Sequence, residues 1–252
     1  MNDDLTHDRF LGDRLHVWQP RAGYRAGVDP VLLAASVNAK TGQSVLELGC
    51  GVGVASLCLG RRVPGLRLTG LELQPGYADL ARRNAAENDV PFDVVQGDLA
   101  QMPAALRQQS FDHVIANPPY FLQAENTGSD DDGRDTALRG ETPLAQWVKA
   151  GMRRLKPRGM LCVIQRVERL PELLSLVAEG AGAIEVLPVS GRAGRAPGLI
   201  LLRAIKGART PFRLHPPLIM HDGAQHPGDF ESYTTAVSAV LREGAALPWP
   251  DA

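Results

Sequence analysis

The chain has 252 residues and a formal net charge of −1, enough for one large domain or two small ones and too neutral for a broadly basic nucleic-acid coat. A hydrophobic content of 44% against 22% charged residues fits a water-soluble globular protein. No apolar run nears the roughly 20 residues of a membrane helix. The polar start MNDDLTHDRF is no signal peptide, and Cys50, Cys58 and Cys162 lack the paired spacing of a disulfide framework or zinc site. They read as buried thiols of a cytoplasmic protein.

In chain order, GDRLHVWQPRAGYRAG alternates weakly around Pro-Arg-Ala-Gly and predicts a short hairpin with its turn there. VDPVLLAASV predicts a helix with Asp29 as N-cap and Pro30 at its first position. SVLELG, LRLTGLEL, FDVVQGD and SFDHVIANPPY are apolar strands. The helical stretches VASLCLGRRV, PGYADLARRNAAEND and LAQMPAALRQQ separate them. This β-α-β-α-β-α-β order implies a mostly parallel sheet covered on both faces. TGSDDDGRDTALRGET is a polar loop, PLAQWVKAGMRRLKPRG a helix ending at Pro157 and Gly159, and MLCVIQ a fifth strand. LPELLSLVAEGA is a sixth helix, and AIEVLPVS and GLILLRAIKG are two more strands. PFRLHPPLIMHDG is extended, and DFESYTTAVSAVLREG is a last helix. The expected fold class is α/β, a doubly wound, mostly parallel, seven-stranded, Rossmann-like sheet with a hairpin/helix extension. Residues 1–40 form that extension, which contributes to substrate binding, and residues 41–252 the main domain. There are no internal repeats.

Gly49, Gly51 and Gly53 follow the first core strand in VLELGCGVGV. Glycines there permit a tight turn and close approach of a ligand to the backbone. The pattern is G-x-G-x-G, without the third glycine of a dinucleotide fingerprint. Glu47, just before the turn, repels a diphosphate and attracts a cationic amino-acid group. Glu72 ends the second strand, where a carboxylate accepts hydrogen bonds from ribose hydroxyls. Asp98 ends the third, within reach of an adenine amine. The six histidines lack metal spacing, so no metal is expected.

These residues resemble the S-adenosylmethionine site of class I methyltransferases over roughly residues 43–164. The resemblance places Glu47 near the methionine ammonium and Gly49, Gly51 and Gly53 under the cofactor. It gives the ribose to Glu72 and the adenine to Asp98, with Asn117 at the cofactor's edge.

The fourth strand ends in Asn117-Pro118-Pro119-Tyr120-Phe121. An exocyclic amine conjugated to a ring or carbonyl is a weak nucleophile. Two acceptors aimed at its N–H groups leave the lone pair facing an incoming methyl. Asn117 supplies a side-chain carbonyl and Pro118 a backbone carbonyl. Proline brings no competing N–H and stiffens the residue before it. Tyr120 offers a stacking face, which Phe121 extends. NPPY is the signature of methyltransferases acting on planar nitrogens, adenine N6 and glutamine N5 among them. A pyrimidine-C5 enzyme would need a cysteine near residue 117, and none lies there.

The whole chain, over residues 9–243, is similar to bacterial tRNA(Val) adenine-N6 methyltransferases. The match rests on NPPY, on Val28-Asp29 before Leu32-Leu33, and on Tyr233-Thr234. Where the family often carries an ARHE-like run, this chain reads Ala137-Leu138-Arg139-Gly140-Glu141. The resemblance implies methyl transfer to an adenosine beside the anticodon, with tRNA as partner. Glutamine N5 in a protein, guanine N2 and small molecules are alternative acceptors. The glutamine enzymes usually carry a separate helical N-terminal domain, for which roughly 40 residues are too few. Candidate phosphate contacts are Arg25 and Arg139, with Arg9, Arg14, Arg21, Arg134, Arg192 and Arg195 behind them.

Overall fold

A computed structural model describes residues 4–120, 142–223 and 232–249. Phe121, Arg134, Arg139 and most of the polar loop lie outside them. Two strands, β1 (Leu5–Phe10) and β2 (Leu15–Pro20), form an antiparallel hairpin. Its turn is not the expected Pro-Arg-Ala-Gly, which follows β2 as a bend, but residues 11–14. Leu11, Gly12 and Asp13 all take positive φ. A side chain at Gly12 would put its Cβ 2.6 Å from the Arg242 carbonyl oxygen, so only glycine fits the turn against the last helix.

Helix α1 (Asp29–Ser36) follows, and then the alternating core. The core strands are β3 (Ser44–Leu48), β4 (Arg67–Glu72), β5 (Phe92–Gln96) and β6 (Phe111–Ala116). Between them run α2 (Val54–Arg62), α3 (Pro75–Glu87) and α4 (Ala104–Arg107). Helix α5 (Leu144–Arg154) leads straight into β7 (Leu155–Arg166). It stops three residues before Pro157 because Leu155 already pairs with Phe111 of β6. After β7 come α6 (Leu170–Ala178), β8 (Ala181–Ser190) and β9 (Leu199–Lys206). Two-residue strands β10 (Arg213–Leu214) and β11 (Leu218–Ile219) and helix α7 (Thr235–Glu243) complete the described chain.

The seven long strands line up as β8-β9-β7-β6-β3-β4-β5, and β10 and β11 add to the β8 edge, making nine. β3 pairs parallel with both β4 and β6, and β9 runs antiparallel between β7 and β8. The sheet is mixed and mostly parallel. Strand order reverses between β3 and β6, the switch point at which α/β sheets open a crevice for ligands. Asp112 pins this pair at the opposite end: its Oδ2 accepts from the Ser44 amide and hydroxyl, each at 2.8 Å.

Apolar side chains fill both faces. On one, α1 buries every residue from Pro30 to Ser36 and packs with α2, α7 and the hairpin's Leu15 and Val17. On the other, Leu144 and Val148 of α5 and Leu173 and Val177 of α6 cover the sheet. Each fully buried Leu or Val contributes about 1.5–3 kcal/mol. Cys50, Cys58 and Cys162 are free and buried, as expected. No helix among the described residues is long and apolar enough to cross a membrane.

The hairpin docks through polar groups. Asn84 on α3 and Asn88, the C-cap one turn later, act as a partner strand for β2. Asn84 Oδ1 accepts from the Trp18 amide at 2.8 Å, and its Nδ2 donates to the Trp18 and Val52 carbonyls. Asn88 Oδ1 accepts from the His16 amide at 2.9 Å and its Nδ2 donates to the His16 carbonyl. From the same helix, Arg82 Nη2 donates to the Val94 carbonyl on β5, the sheet's last strand. Replacing Asn84 with alanine strands one donor and two acceptors in a fully buried place. We expect Asn84→Ala to cost at least about 2 kcal/mol and to lower Tm by roughly 4–8 °C. A calorimetric scan checks this, and an unchanged Tm would show that water takes over these bonds.

Candidate active site

The crevice is built where β3, β4, β5 and β6 end. The first wall is the turn after β3. Gly49, Gly51 and Gly53 all have positive φ, and Gly53 is the N-cap of α2. Gly49 has a packing reason as well: a Cβ there would lie 2.5 Å from the indole of Trp147 on α5. Around Gly51 the space is open apart from the Tyr24 ring, 3.7 Å from the position of a Cβ.

Three acids stand around this turn. Glu72 Oε2 accepts from the Gly51 amide at 2.8 Å, and its Oε1 accepts from the Gln74 amide at 2.9 Å. The Gly97 amide donates to the Glu72 carbonyl at 2.8 Å, which draws the end of β5, and with it Asp98, beside Glu72. Asp98 Oδ1 accepts from the Ala100 amide at 2.7 Å. Glu47 is buried under the turn, and its Oε2 accepts from both the amide and hydroxyl of Ser56, at 3.0 and 2.5 Å. Burial pushes the Glu47 carboxyl up to about 8, against the Ser56 bonds, with the Glu72 charge adding to the rise. Neither Glu47 nor Glu72 has an ion-pair partner among the described residues.

The second wall is Asn117-Pro118-Pro119-Tyr120, directly after β6. Asn117 Nδ2 donates to the Tyr24 hydroxyl at 3.4 Å, so one ring spans from the glycine turn to this motif. Tyr24 is itself held at its carbonyl by the Tyr77 hydroxyl, 3.2 Å away. Pro118 is buried, and Gln165 Nε2 donates to the Pro118 and Pro119 carbonyls at 3.3 and 3.4 Å. The Tyr120 hydroxyl donates to Asp29 Oδ2 at 2.6 Å.

That contact corrects one expectation. Asp29 is not an N-cap: Val28 takes that position, and Asp29 is the first helical residue, its carboxylate turned to Tyr120. The arginines are corrected in part. Arg192 is 5% exposed and donates to the Asp222 and Gly223 carbonyls and the Ser232 hydroxyl. It holds the chain before α7 and offers no charge to a phosphate. Arg25 is committed to the hairpin, pairing with Asp8 at 2.7 Å and donating to Thr6 and the Pro20 carbonyl. Arg9 pairs with Asp13, and Arg14 donates to the Glu243 carbonyl.

Tyr24, Ser56, Trp147 and Gln165 were missed. Ser56 lies just after the glycine turn and Tyr24 just before Val28-Asp29, but neither residue type marked a role there. Trp147 and Gln165 are brought to the site by the tertiary fold alone. Leu73 had a signal that passed unread, an apolar residue straight after a strand-ending acid. It is 53% exposed, which leaves apolar surface beside Glu72. No group of three His, Cys, Asp or Glu side chains among the described residues is placed to hold a metal.

Residues 26–179 match the family model described as the methyltransferase small domain. The chain belongs to that family. Its cofactor is S-adenosylmethionine, and the site has the chemistry to accept it: two buried carboxylates without cations flank a backbone turn that has space above it. A tRNA1(Val) (adenine(37)-N6)-methyltransferase of Porphyromonas gingivalis is 32% identical over 180 residues, 67% of this chain and 69% of its own. One from Haemophilus influenzae is 26% identical over 217 residues, 85% of this chain and 88% of its own. Among solved structures, Atu636 of Agrobacterium tumefaciens, described as a predicted O-methyltransferase, gives a TM-score of 0.71 at 25% identity. The match covers 86% of this chain and 97% of that one. The Thermus thermophilus 16S rRNA N2 G1207 methyltransferase, solved with AdoMet and guanosine, shares the fold at a TM-score of 0.57 and 20% identity. It covers 80% of this chain and 50% of that one.

Glu47 gives the ligand-free methyltransferase a pH signature. From its ordinary 4.5 up to about 8, the folded state keeps a proton that the unfolded state has released. Glu47 therefore subtracts stability as pH rises through that window, and the loss is complete above it. We expect Tm of the parent to fall more steeply between about pH 5 and 8 than that of Glu47→Gln. Parallel slopes in calorimetry would mean that Glu47 is already ionised in the folded protein.

Proposed function

We propose that this methyltransferase acts on the N6 amine of an adenosine in tRNA, and that its acceptor is the adenosine beside the anticodon of a tRNA(Val). The observation that carries this reading is the position of Asn117-Pro118-Pro119-Tyr120 across from the glycine turn, joined to it by Tyr24. The relatives named for tRNA1(Val) adenine(37) support the choice of acceptor, because the similarity takes in 67% and 85% of this chain.

S-adenosylmethionine, when bound, supplies an electrophilic methyl on a sulfonium. The chain's own residues do the rest. Glu47 would face the methionine ammonium, Glu72 would take the ribose hydroxyls and Asp98 the adenine amine. Each oxygen of Glu72 already accepts one backbone N–H and keeps a lone pair for a hydroxyl. Asn117 Oδ1 and the Pro118 carbonyl accept the two N–H bonds of the acceptor amine, which turns its lone pair towards the methyl. The Pro118 carbonyl takes Gln165 with one lone pair and the amine with the other. Tyr120 stacks on the base, worth on the order of 1–3 kcal/mol. The methylated amine then releases its extra proton to water, so no general base is required. An adenosine in the anticodon loop must first leave its stack. The reaction belongs in the cytoplasm, where tRNA is found.

The test is to incubate the enzyme with labelled cofactor and total tRNA and identify the labelled nucleoside by mass spectrometry. N6-methyladenosine next to an anticodon is expected; label in guanosine or only in protein glutamine would replace this reading by another planar nitrogen. Asn117→Ala removes one of the two acceptors. It should lower kcat at least about 100-fold and leave the cofactor Kd, measured by calorimetric titration, within about twofold.

A further inference from the structure

Tyr120 carries more than a stacking ring needs. Phenylalanine would give the same face, so the hydroxyl has another task. It donates to Asp29 Oδ2 at 2.6 Å, the length of a charge-assisted O–H···O⁻ bond. We propose that Asp29 is a positioning residue that sets the plane of Tyr120 before the acceptor base arrives, acting through this hydroxyl alone. The inference rests on the reading of Tyr120 as the platform for the base.

Three observations support it. Asp29 opens α1, the helix buried from Pro30 to Ser36 against α2, α7 and β7, so its carboxylate is mounted on an element packed from several sides. Val28, not Asp29, is the N-cap of this helix, and among the described residues the hydrogen bond to the Asp29 carboxylate comes from Tyr120. The charged groups around the pair do not take over the contact. Arg25, four residues before Asp29, is held by Asp8, and Arg166, close to Tyr120, lies 3.5 Å from Glu168. Burial, the Asp29 charge and the bond to it push the Tyr120 phenol far up, so it stays a donor throughout the working range. A ring fixed in advance loses no freedom when the base stacks on it, and the gain falls on the reactive geometry.

The decisive experiment is a double-mutant cycle of Asp29→Ala and Tyr120→Phe, with kcat/KM measured for tRNA. Each single change should lower kcat/KM about tenfold, and the double change no further than either one. Asp29→Asn keeps an acceptor oxygen and should recover a part of the loss, and cofactor Kd should stay level throughout. Effects that multiply to about a hundredfold would overturn the proposal, since Asp29 would then act by another route. A second readout needs no substrate. The chain has four tyrosines. With 3-fluorotyrosine incorporated, the Tyr120 fluorine resonance, identified by its loss in Tyr120→Phe, should shift and broaden in Asp29→Ala. The resonances of Tyr77 and Tyr233 should not change. An unmoved Tyr120 signal in a folded Asp29→Ala or Asp29→Asn protein also overturns it. If the parent labels no tRNA adenosine, the acceptor reading fails by itself, and the fluorine spectrum still decides the role of Asp29.

Discussion

The parallel pairing of β3 with β6 is the constraint from which the site follows. Glu47 lies opposite Ile115, and Leu48 opposite Ala116. In that register two very different chain reversals leave the sheet side by side. One is a run of left-handed glycines that opens the backbone, and the other is a pair of prolines that closes off backbone donors. A slip of one residue would turn Glu47 to the opposite face. The Ser44–Asp112 bonds at the far end hold against such a slip, as do the buried side chains on both sides of the two strands.

Around that pairing, neighbouring elements hold each wall from a different direction. Trp147 of α5 presses on Gly49, Glu72 of β4 takes the Gly51 amide, and Gln165 of β7 grips the Pro118 and Pro119 carbonyls. Tyr24, in the segment before α1, and Asp29, the first residue of α1, meet the first and last residues of the motif. The extension and the core thus share one site, and the family match beginning at residue 26 cuts between these two contacts.

The alternation of strands and helices made the core legible, because each apolar run is short and ends in glycine, an acid or proline. The acids at strand ends, the glycine turn and NPPY were legible for the same reason: their chemistry is local. What stayed hidden depends on partners far away in the chain. Pro20-Arg21-Ala22-Gly23 has better turn chemistry than Leu11-Gly12-Asp13, yet the turn forms at the latter, where α7 leaves room only for a glycine. Asp29 before a proline has the residue type of a cap, and nothing in its neighbours reports a tyrosine 91 positions later. Arg192 looked like an exposed cation in a glycine-rich turn. Burial and three oxygen acceptors make it an internal brace.

Helix α3 closes two open backbone edges at once. Asn84 and Asn88 occupy the side of β2 that faces away from β1, and Arg82 occupies a carbonyl of β5, where the main sheet ends. An unguarded strand edge recruits strands from other molecules. At the opposite margin β10 and β11 are only two residues each, too short to template a ladder. The side-chain amides that seat the hairpin, and the Arg82 guanidinium on β5, therefore also guard these edges against strand addition from another molecule.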